Sequence, residues 1–239
     1  MIETNVEVVE TVKRAGNAKS IRFKKTDEMS FRPGQYMLVT ARGAGKEIAK
    51  PLSFSSSPTE TGYVEFTKRL TGSDFSNALD ALRPGDTLKV KMPYGQFIFE
   101  GELPKIAMLA GGIGVTPFKS ICKYATDRSL DSDIVLLFSS RDEDSIVFRE
   151  EFDSMRREND RLHVVYTVTD PAAVEKGCTC GRTGAIDHCM IPEVIPDYRE
   201  RVFFVSGPPG MVMCLVGVLQ NDLGIAPEMI RTERFAGYE

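Results

Sequence analysis

Residues 110–117 read AGGIGVTP and stand where an apolar run, residues 106–110, ends and a helical pattern begins. Further apolar runs follow at 134–138, 162–167 and 202–205, and helical patterns separate them. Alternation of strands and helices is typical of a parallel sheet that is covered by helices on both faces. The second part of the chain is therefore predicted to be a Rossmann-like α/β domain.

The glycines of this segment indicate a nucleotide-binding turn. Gly111, Gly112 and Gly114 allow the backbone to approach a ligand without Cβ clashes. Thr116 can cap the following helix, and Pro117 suits its first turn. Backbone N–H groups at such a helix N-terminus favour an anion, so the segment predicts a dinucleotide pyrophosphate site. A tight turn without a ligand is the alternative.

The first part of the chain follows a different pattern. Short β-type runs at residues 6–12, 36–40, 63–68 and 87–90 are separated by turn residues, and one short helical pattern occurs within 70–82. This spacing predicts an antiparallel barrel or sandwich that contains one helix.

Gly and Pro interrupt the pattern near residues 101–104, so we expect a first domain over 1–102 and a second over 103–239.

Composition excludes several classes of protein. A net charge of −4 argues against a nucleic-acid-binding protein, which depends on a positive field. The longest apolar stretch, near residues 212–219, is too short to span a membrane. The N-terminus has no basic and then apolar run, so a cytoplasmic location is expected. Five cysteines, an odd number, suggest mostly free thiols in a reducing compartment.

A second candidate segment, SGPPGM, includes Ser206, Gly207, Pro208 and Met211 and follows the last apolar run. Ligands of open α/β sheets bind beyond the carboxyl ends of the strands, so this loop and AGGIGVTP would line the same crevice. Alternatively, the two prolines only start a helix.

A third segment, KPLSFSSSP at residues 50–58, combines a cation, a turn-fixing proline and four hydroxyls. These groups suit an anionic ligand that accepts hydrogen bonds. An ordinary polar edge strand is the alternative.

In their order along the chain, these three segments resemble those of the ferredoxin-NADP reductase-like superfamily, which includes cytochrome b5 reductase and many oxygenase reductases. The resemblance implies an antiparallel six-stranded flavin-binding barrel followed by an NAD(P)-binding domain. It also implies hydride transfer from NAD(P)H to FAD, with FMN less favoured, and electron transfer onward to ferredoxin, flavodoxin or a partner subunit. A relative that binds nucleotide or a partner protein but has lost its flavin is the non-enzymatic alternative.

The family's Arg-x-aromatic-Ser flavin motif corresponds to Lys50, Pro51, Leu52 and Ser53. Two usual side chains are therefore absent, because Lys cannot make the two-pronged contact of Arg and Leu cannot stack on the flavin. The resemblance further assigns cofactor contacts in the barrel to Phe66, Lys68, Gly72 and Ser76.

The resemblance also assigns roles in the reaction. Ser53 would hydrogen-bond the reactive edge of the flavin, Thr116 and Ser206 would flank the nicotinamide, and Glu233 would assist proton movement. Near the C-terminus, Phe235 matches a family aromatic residue whose ring covers the flavin, with Tyr238 as the alternative.

The choice of coenzyme depends on the segment after the second strand of the α/β domain. Arg141 stands where a 2′-phosphate would be met, but residues 142–144 are all acidic. A dianionic phosphate is disfavoured beside three acids, so the sequence favours NADH.

Two clusters remain. Cys178, Cys180 and Cys189 do not have a standard metal-ligand spacing, so free or redox-active thiols are predicted and a bound metal is the alternative. The N-terminal strands are locally basic, which suggests either a docking face for an acidic carrier protein or plain solvated strand faces. The cations concerned are Lys13, Arg14, Lys19, Arg22, Lys24 and Lys25.

Overall fold

A computed structural model describes residues 1–43, 45–170, 172 and 182–235. The chain forms two compact units. The barrel unit consists of Met1–Glu100 and Thr116–Asp127, and the sheet unit consists of Gly101–Val115 and Arg128–Glu239.

The barrel unit is an antiparallel six-stranded sheet, as predicted. Its elements are β1 (Ile2–Arg14), β2 (Ala18–Lys24), β3 (Tyr36–Gly43), β4 (Lys46–Ser53), β5 (Tyr63–Arg69), α1 (Asp74–Ala81), β6 (Thr87–Tyr94) and α2 (Thr116–Asp127). The strand order is β4-β3-β6-β1-β2-β5, and a bridge between Phe54 and Phe66 joins the two ends of this order.

Alternation of side chains explains the barrel core. In β3, Met37, Val39 and Ala41 are buried and the residues between them are partly exposed. Because successive side chains of a strand point to opposite faces, this period of two gives each strand one apolar face. The apolar faces of the strands, with Phe75 and Leu79 of α1, form one core cluster.

The sheet unit is a five-stranded parallel sheet, also as predicted. Its elements are β7 (Lys105–Gly111), β8 (Asp133–Ser140), α3 (Arg149–Glu158), β9 (Leu162–Val168), α4 (Met190–Val194), β10 (Val202–Gly207), α5 (Pro209–Gly217) and β11 (Ile230–Arg234). The strand order is β11-β10-β7-β8-β9. From β7 the chain adds β8 and β9 on one side and β10 and β11 on the other. Open α/β sheets bind their ligands at such a switch point, here between β7 and β10. Among the described residues, no helix is long and apolar enough to cross a membrane.

A buried arginine holds the amino ends of these strands together. Arg201, just before β10, donates from Nε to Asp197 at 2.7 Å and from Nη1 to the backbone carbonyls of Ile106 and Asp133, both at 3.1 Å. Hydrogen bonds, first from Arg201 and then from Lys105, lower the pKa of Asp197 to about 2. We name this group the Arg201 clamp.

The opposite, carboxyl ends of β7 and β10 come together through glycines. A Cβ added to Gly114 would lie 2.5 Å from Cα of Gly207, and one added to Gly111 would lie 2.0 Å from Sδ of Met211. Gly111 and Gly114 therefore make room for the neighbouring loop of the fold, whereas the sequence suggested that they make room for a ligand.

We expect Gly114→Ala to destabilise the protein by about 1–3 kcal/mol, because backbone atoms cannot move aside as a flexible side chain would. Urea unfolding monitored by circular dichroism measures the change. Gly210→Ala is the matched control, since a Cβ there meets nothing within 4 Å and its position in α5 favours Ala over Gly. Equal stability of the Gly114→Ala variant and the wild type would contradict the packing argument.

Candidate functional site

The predicted flavin motif lies in β4, at one end of the strand order of the barrel unit. Lys50 and Pro51 are exposed, whereas Leu52 and Ser53 are buried. The side chain of Leu52 belongs to the barrel core, so it is not available to a ligand. The same holds for Phe66, which is fully buried in that core.

Lys50 of this motif and Lys68 of β5 both carry positive charge. Lys68 is buried, and its pKa is lowered to about 8, first by burial and then by the charge of Lys50. A nearby anion stabilises the charged form of a lysine. The pair therefore fits the pyrophosphate of a dinucleotide such as FAD.

The N-terminus of α1 follows Gly72, whose φ of +77° favours glycine. Ser73 caps the helix by accepting a hydrogen bond from the backbone N–H of Ser76 at 3.3 Å. Ser76 is fully buried, and its Oγ accepts a hydrogen bond from the N–H of Thr71 at 2.9 Å. The hydroxyl of Ser76 thus orders the loop, and the helix end offers its dipole to an anion.

Three of the four hydroxyls in KPLSFSSSP hold the protein together. Ser55 donates to Oε1 of Glu65 at 2.8 Å, and Oγ of Ser56 accepts from the backbone N–H of Glu65 at 2.8 Å. The hydroxyl of Ser57 lies 2.6 Å from that of Thr59. The prediction that these serines face a ligand is therefore wrong, because their partners lie within the barrel unit.

Sequence reasoning missed the centre of this network, the carboxylate of Glu65. It has no solvent exposure and lies 2.8 Å from Arg22, 3.3 Å from Arg14 and 3.8 Å from Lys119. Burial alone would raise the pKa of Glu65, but Lys119, Arg14, a hydrogen bond from Ser55 and Arg22 together lower it. An acid between two apolar residues of the strand, Val64 and Phe66, was the available signal.

Glu65→Gln should lower the free energy of unfolding by about 3–5 kcal/mol at neutral pH, because it leaves buried cations without their anion. A lowered carboxyl pKa stabilises the fold above the pKa of the unfolded state, and this stability is lost as the pH falls through the folded pKa. The difference in free energy of unfolding between the variant and the wild type should therefore decrease from pH 7 to pH 3. Urea unfolding at each pH measures it, and Glu3→Gln, in an exposed pair with Lys89, serves as the control without a comparable loss.

The basic cluster on the N-terminal strands is partly neutralised in the structure. Arg14 and Arg22 pair with Glu65, and the buried Lys19 lies 3.6 Å from the carboxylate of Asp80. Lys25 donates to the carbonyl of Pro58 at 2.8 Å, and Lys13 and Lys24 are exposed. Three of the six cations are thus paired with carboxylates within the barrel unit, and a docking face for an acidic carrier protein stays a prediction.

The AGGIGVTP segment contains one more turn than the sequence suggested. Gly112–Val115 form a 3₁₀ turn, which Gly112 enters with a φ of +51°. Thr116 is then the first residue of α2, followed by Pro117, and both are buried. Thr116 therefore lies within the first turn of α2, and the prediction that it precedes the helix as its cap is wrong.

At the end of β10, Ser206 lies between Ala110 of β7 and Glu233 of β11 in the sheet register. Its Oγ is buried and has no hydrogen-bond partner among the described residues. A buried hydroxyl without a partner is costly, so this one is suited to a polar ligand group such as a carboxamide. The N–H of Phe235 donates to the carbonyl of Gly207 at 3.1 Å, which holds the end of β11 beside this hydroxyl.

Two other predicted features have plain structural roles. Pro208 immediately precedes α5 and Pro209 is its first residue, so the prolines do start a helix. Arg141 is largely exposed, and its Nε donates to Asp142 at 3.2 Å. Hydrogen bonds, first from Ser145 and then from Arg141, lower the pKa of Asp142, so this acid is charged at neutral pH.

Cys189 is exposed and immediately precedes α4. Cys178, Cys180 and Tyr238 lie outside the described residues. Within the described part of the chain, no three His, Cys, Asp or Glu side chains are arranged to hold a metal ion.

Two family models match the chain, one in its first part and one in its second part. Residues 5–99 match the oxidoreductase FAD-binding domain, and residues 108–216 match the oxidoreductase NAD-binding domain. The chain is 30% identical over 203 residues to NADH-cytochrome b5 reductase 1 of Aspergillus terreus, which covers 80% of this chain and 67% of that protein. The chain therefore belongs to the ferredoxin-NADP reductase-like superfamily of FAD- and NAD-binding oxidoreductases.

Other relatives are longer than this chain. It is 28% identical over 179 residues to NADH-cytochrome b5 reductase 2 of Mycosarcoma maydis, a match that covers 72% of the chain and 50% of the relative. It is 28% identical over 225 residues to the glycine betaine monooxygenase reductase subunit of Chromohalobacter salexigens, covering 91% of the chain and 60% of the relative. The cytochrome b5 reductase domain of Ulva prolifera nitrate reductase shares the fold, with a TM-score of 0.83, 22% identity and 97% coverage of both chains.

Proposed function

We propose that this protein is an FAD-dependent NAD(P)H oxidoreductase that accepts a hydride from the nicotinamide and passes electrons to a redox acceptor. The observation that carries the proposal is the FAD-binding match of residues 5–99 together with the two lysines, Lys50 and Lys68, that this part of the chain provides for a pyrophosphate. The replacement of the family's Arg by Lys50 motivated the alternative of a relative without flavin. A second cation, Lys68, offers a further phosphate contact in place of the lost two-pronged contact and disfavours that alternative.

The chain's own residues would bind and orient the two nucleotides. FAD, when bound, supplies the ability to take a hydride and release electrons singly. Lys50, Lys68 and the N-terminus of α1 would neutralise its pyrophosphate. Ser53 would hydrogen-bond the flavin ring, and the buried hydroxyl of Ser206 would hold the nicotinamide carboxamide.

Further residues would complete these two sites. Thr116 in the first turn of α2 would contact the nicotinamide, and Glu233, beside Ser206 in the register, would assist proton movement. Leu52 is aliphatic and lies in the core, so the β4 motif provides no aromatic ring to cover the flavin. Phe235, held beside Gly207, is the aromatic residue that we assign to that position.

We further propose that NADH is the preferred donor. The ionised Asp142 already pairs with Arg141, so the guanidinium that would meet a 2′-phosphate is neutralised and the phosphate would face a carboxylate. Two of the relatives described above are named NADH reductases, which supports the same choice.

The electron acceptor that we propose is a redox protein, either a soluble carrier such as ferredoxin or flavodoxin or a partner subunit of a larger complex. The names of the relatives point to cytochrome b5 and to a monooxygenase as their acceptors. The free thiols of Cys122, Cys189 and Cys214 suit a reducing compartment, and we place the reaction in the cytoplasm.

Anaerobic titration of the FAD-loaded protein with each pyridine nucleotide tests the function. We expect NADH to bleach the flavin absorbance near 450 nm at about one equivalent and NADPH to do so with a much weaker affinity. Protein that cannot be loaded with FAD, or a bound flavin that neither nucleotide reduces, would refute the proposal. Equal reduction by both nucleotides would refute only the preference for NADH.

Lys50→Met should weaken FAD binding by about tenfold or more, because a contact with a charged phosphate is worth roughly 1.5–3 kcal/mol. Calorimetric titration of the flavin-free protein with FAD measures this change. Lys46→Met removes an exposed charge from the same strand and should leave the affinity unchanged. Equal effects of the two substitutions would mean that Lys50 acts only through the general field of the surface.

A further inference from the structure

The helix α2 is attached to the barrel by buried polar contacts that the proposed reaction does not use. The side chain of Lys119 is 5% exposed, and its Nζ lies 3.4 Å from Oε2 of Glu60 and 3.8 Å from Oε1 of Glu65. The neighbouring Ser120 donates from Oγ to the carbonyl of Ser56 at 2.7 Å, also in a buried position. Charged groups are seldom buried unless they are paired, so these contacts fix the helix in place.

These contacts hold residues 55–57, which follow the flavin motif closely in the sequence. Residues 55–57 lie between β5 and α2, since the N–H of Ser55 donates to the carbonyl of Glu65 at 2.8 Å and that of Ser57 donates to Oε2 of Glu60 at 2.6 Å. Ser53 ends β4 only two residues before this segment. A shift of residues 55–57 would therefore be transmitted to Ser53 through two peptide units.

The contacts of Lys119 and Ser120 also bear on the position of Thr116, which belongs to the same helix. Residues three and four apart lie on the same face of a helix, so Thr116, Lys119 and Ser120 share one face of α2. The face that docks on residues 55–57 is thus the face that carries Thr116. Rotation or translation of α2 would move Thr116 and break the contacts of Lys119 and Ser120 at the same time.

We propose that Lys119 is a positioning residue, which acts with Glu65 and Ser120 to fix α2 on residues 55–57 and so sets Thr116 relative to Ser53. This inference rests on the proposed function, because Thr116 and Ser53 are the residues that we assign to the nicotinamide and to the flavin. Hydride transfer is sensitive to displacements of about 1 Å, so loosening this attachment slows transfer more than it weakens nucleotide binding.

The test compares Lys119→Met, Lys119→Arg, Ser120→Ala and Lys123→Met in the FAD-loaded protein. The first removes the cation and keeps an apolar stem, the second restores the charge, and the third removes one hydroxyl and provides a mild variant should the first not fold. Lys123→Met is the matched control, because it makes the same substitution in α2 at a lysine whose ion pair is with Asp127 of the same helix.

Anaerobic stopped-flow measurement of flavin reduction separates positioning from binding. For Lys119→Met we expect the limiting rate constant to fall roughly 10- to 100-fold, with the dissociation constant of NADH within about threefold of the wild type. Ser120→Ala should show a smaller loss, about three- to tenfold. Lys119→Arg should recover most of the rate, and Lys123→Met should retain all of it.

Hydrogen–deuterium exchange provides a readout that does not depend on turnover. Exchange should increase in Lys119→Met and Ser120→Ala for both residues 53–57 and residues 116–121, but not in Lys123→Met. The inference is overturned if Lys119→Met and Ser120→Ala, where folded, keep the wild-type limiting rate, if Lys123→Met loses as much rate as they do, or if only one of the two segments exchanges faster. Failure of the wild type to bind or reduce FAD would refute the proposed function instead, while the exchange data would still report whether the two segments are coupled.

Discussion

The buried carboxylate of Glu65 is the constraint on which the barrel unit depends. It has no contact with water, so its charge must be balanced by the side chains of Arg14 from β1, Arg22 from β2 and Lys119 from α2. An uncompensated buried charge costs several kcal/mol, a large part of the stability of an ordinary domain. Two strands and a helix must therefore reach their final places together, and the barrel without α2 would lack one of the cations.

This constraint explains how polar groups are divided between structure and ligand. The hydroxyls of residues 55–57 and of Ser76 hold backbone and side chains of the protein, although their composition suggests a ligand site. The groups left for nucleotides are charges and dipoles: the lysine pair, the N-terminus of α1 and the buried hydroxyl of Ser206. Glycines show the same division, because Gly111 and Gly114 serve the packing of two loops before they serve a ligand.

Periodicity along the chain was sufficient to predict both sheets, since a period of two and a strand-helix alternation are local signals. The expectation that the loops after β7 and β10 lie side by side followed from the rules of α/β folds, whereas the strand order became known only from the structure. Partners of buried polar side chains were not predictable in this way. Arg14 and Glu65 are 51 positions apart, and nothing near Arg14 indicates that its charge points inward. The prediction of a ligand role for the serines of residues 55–57 failed for this reason.

The Arg201 clamp lies at the amino ends of the parallel strands, whereas the glycine loops and Ser206 lie at their carboxyl ends. The length of the strands thus separates the part of the sheet unit that secures its fold from the part that meets the coenzyme. Substitutions around Asp197 and Lys105 can accumulate or be engineered to adapt the protein to heat, with little effect on the choice or the handling of its coenzyme.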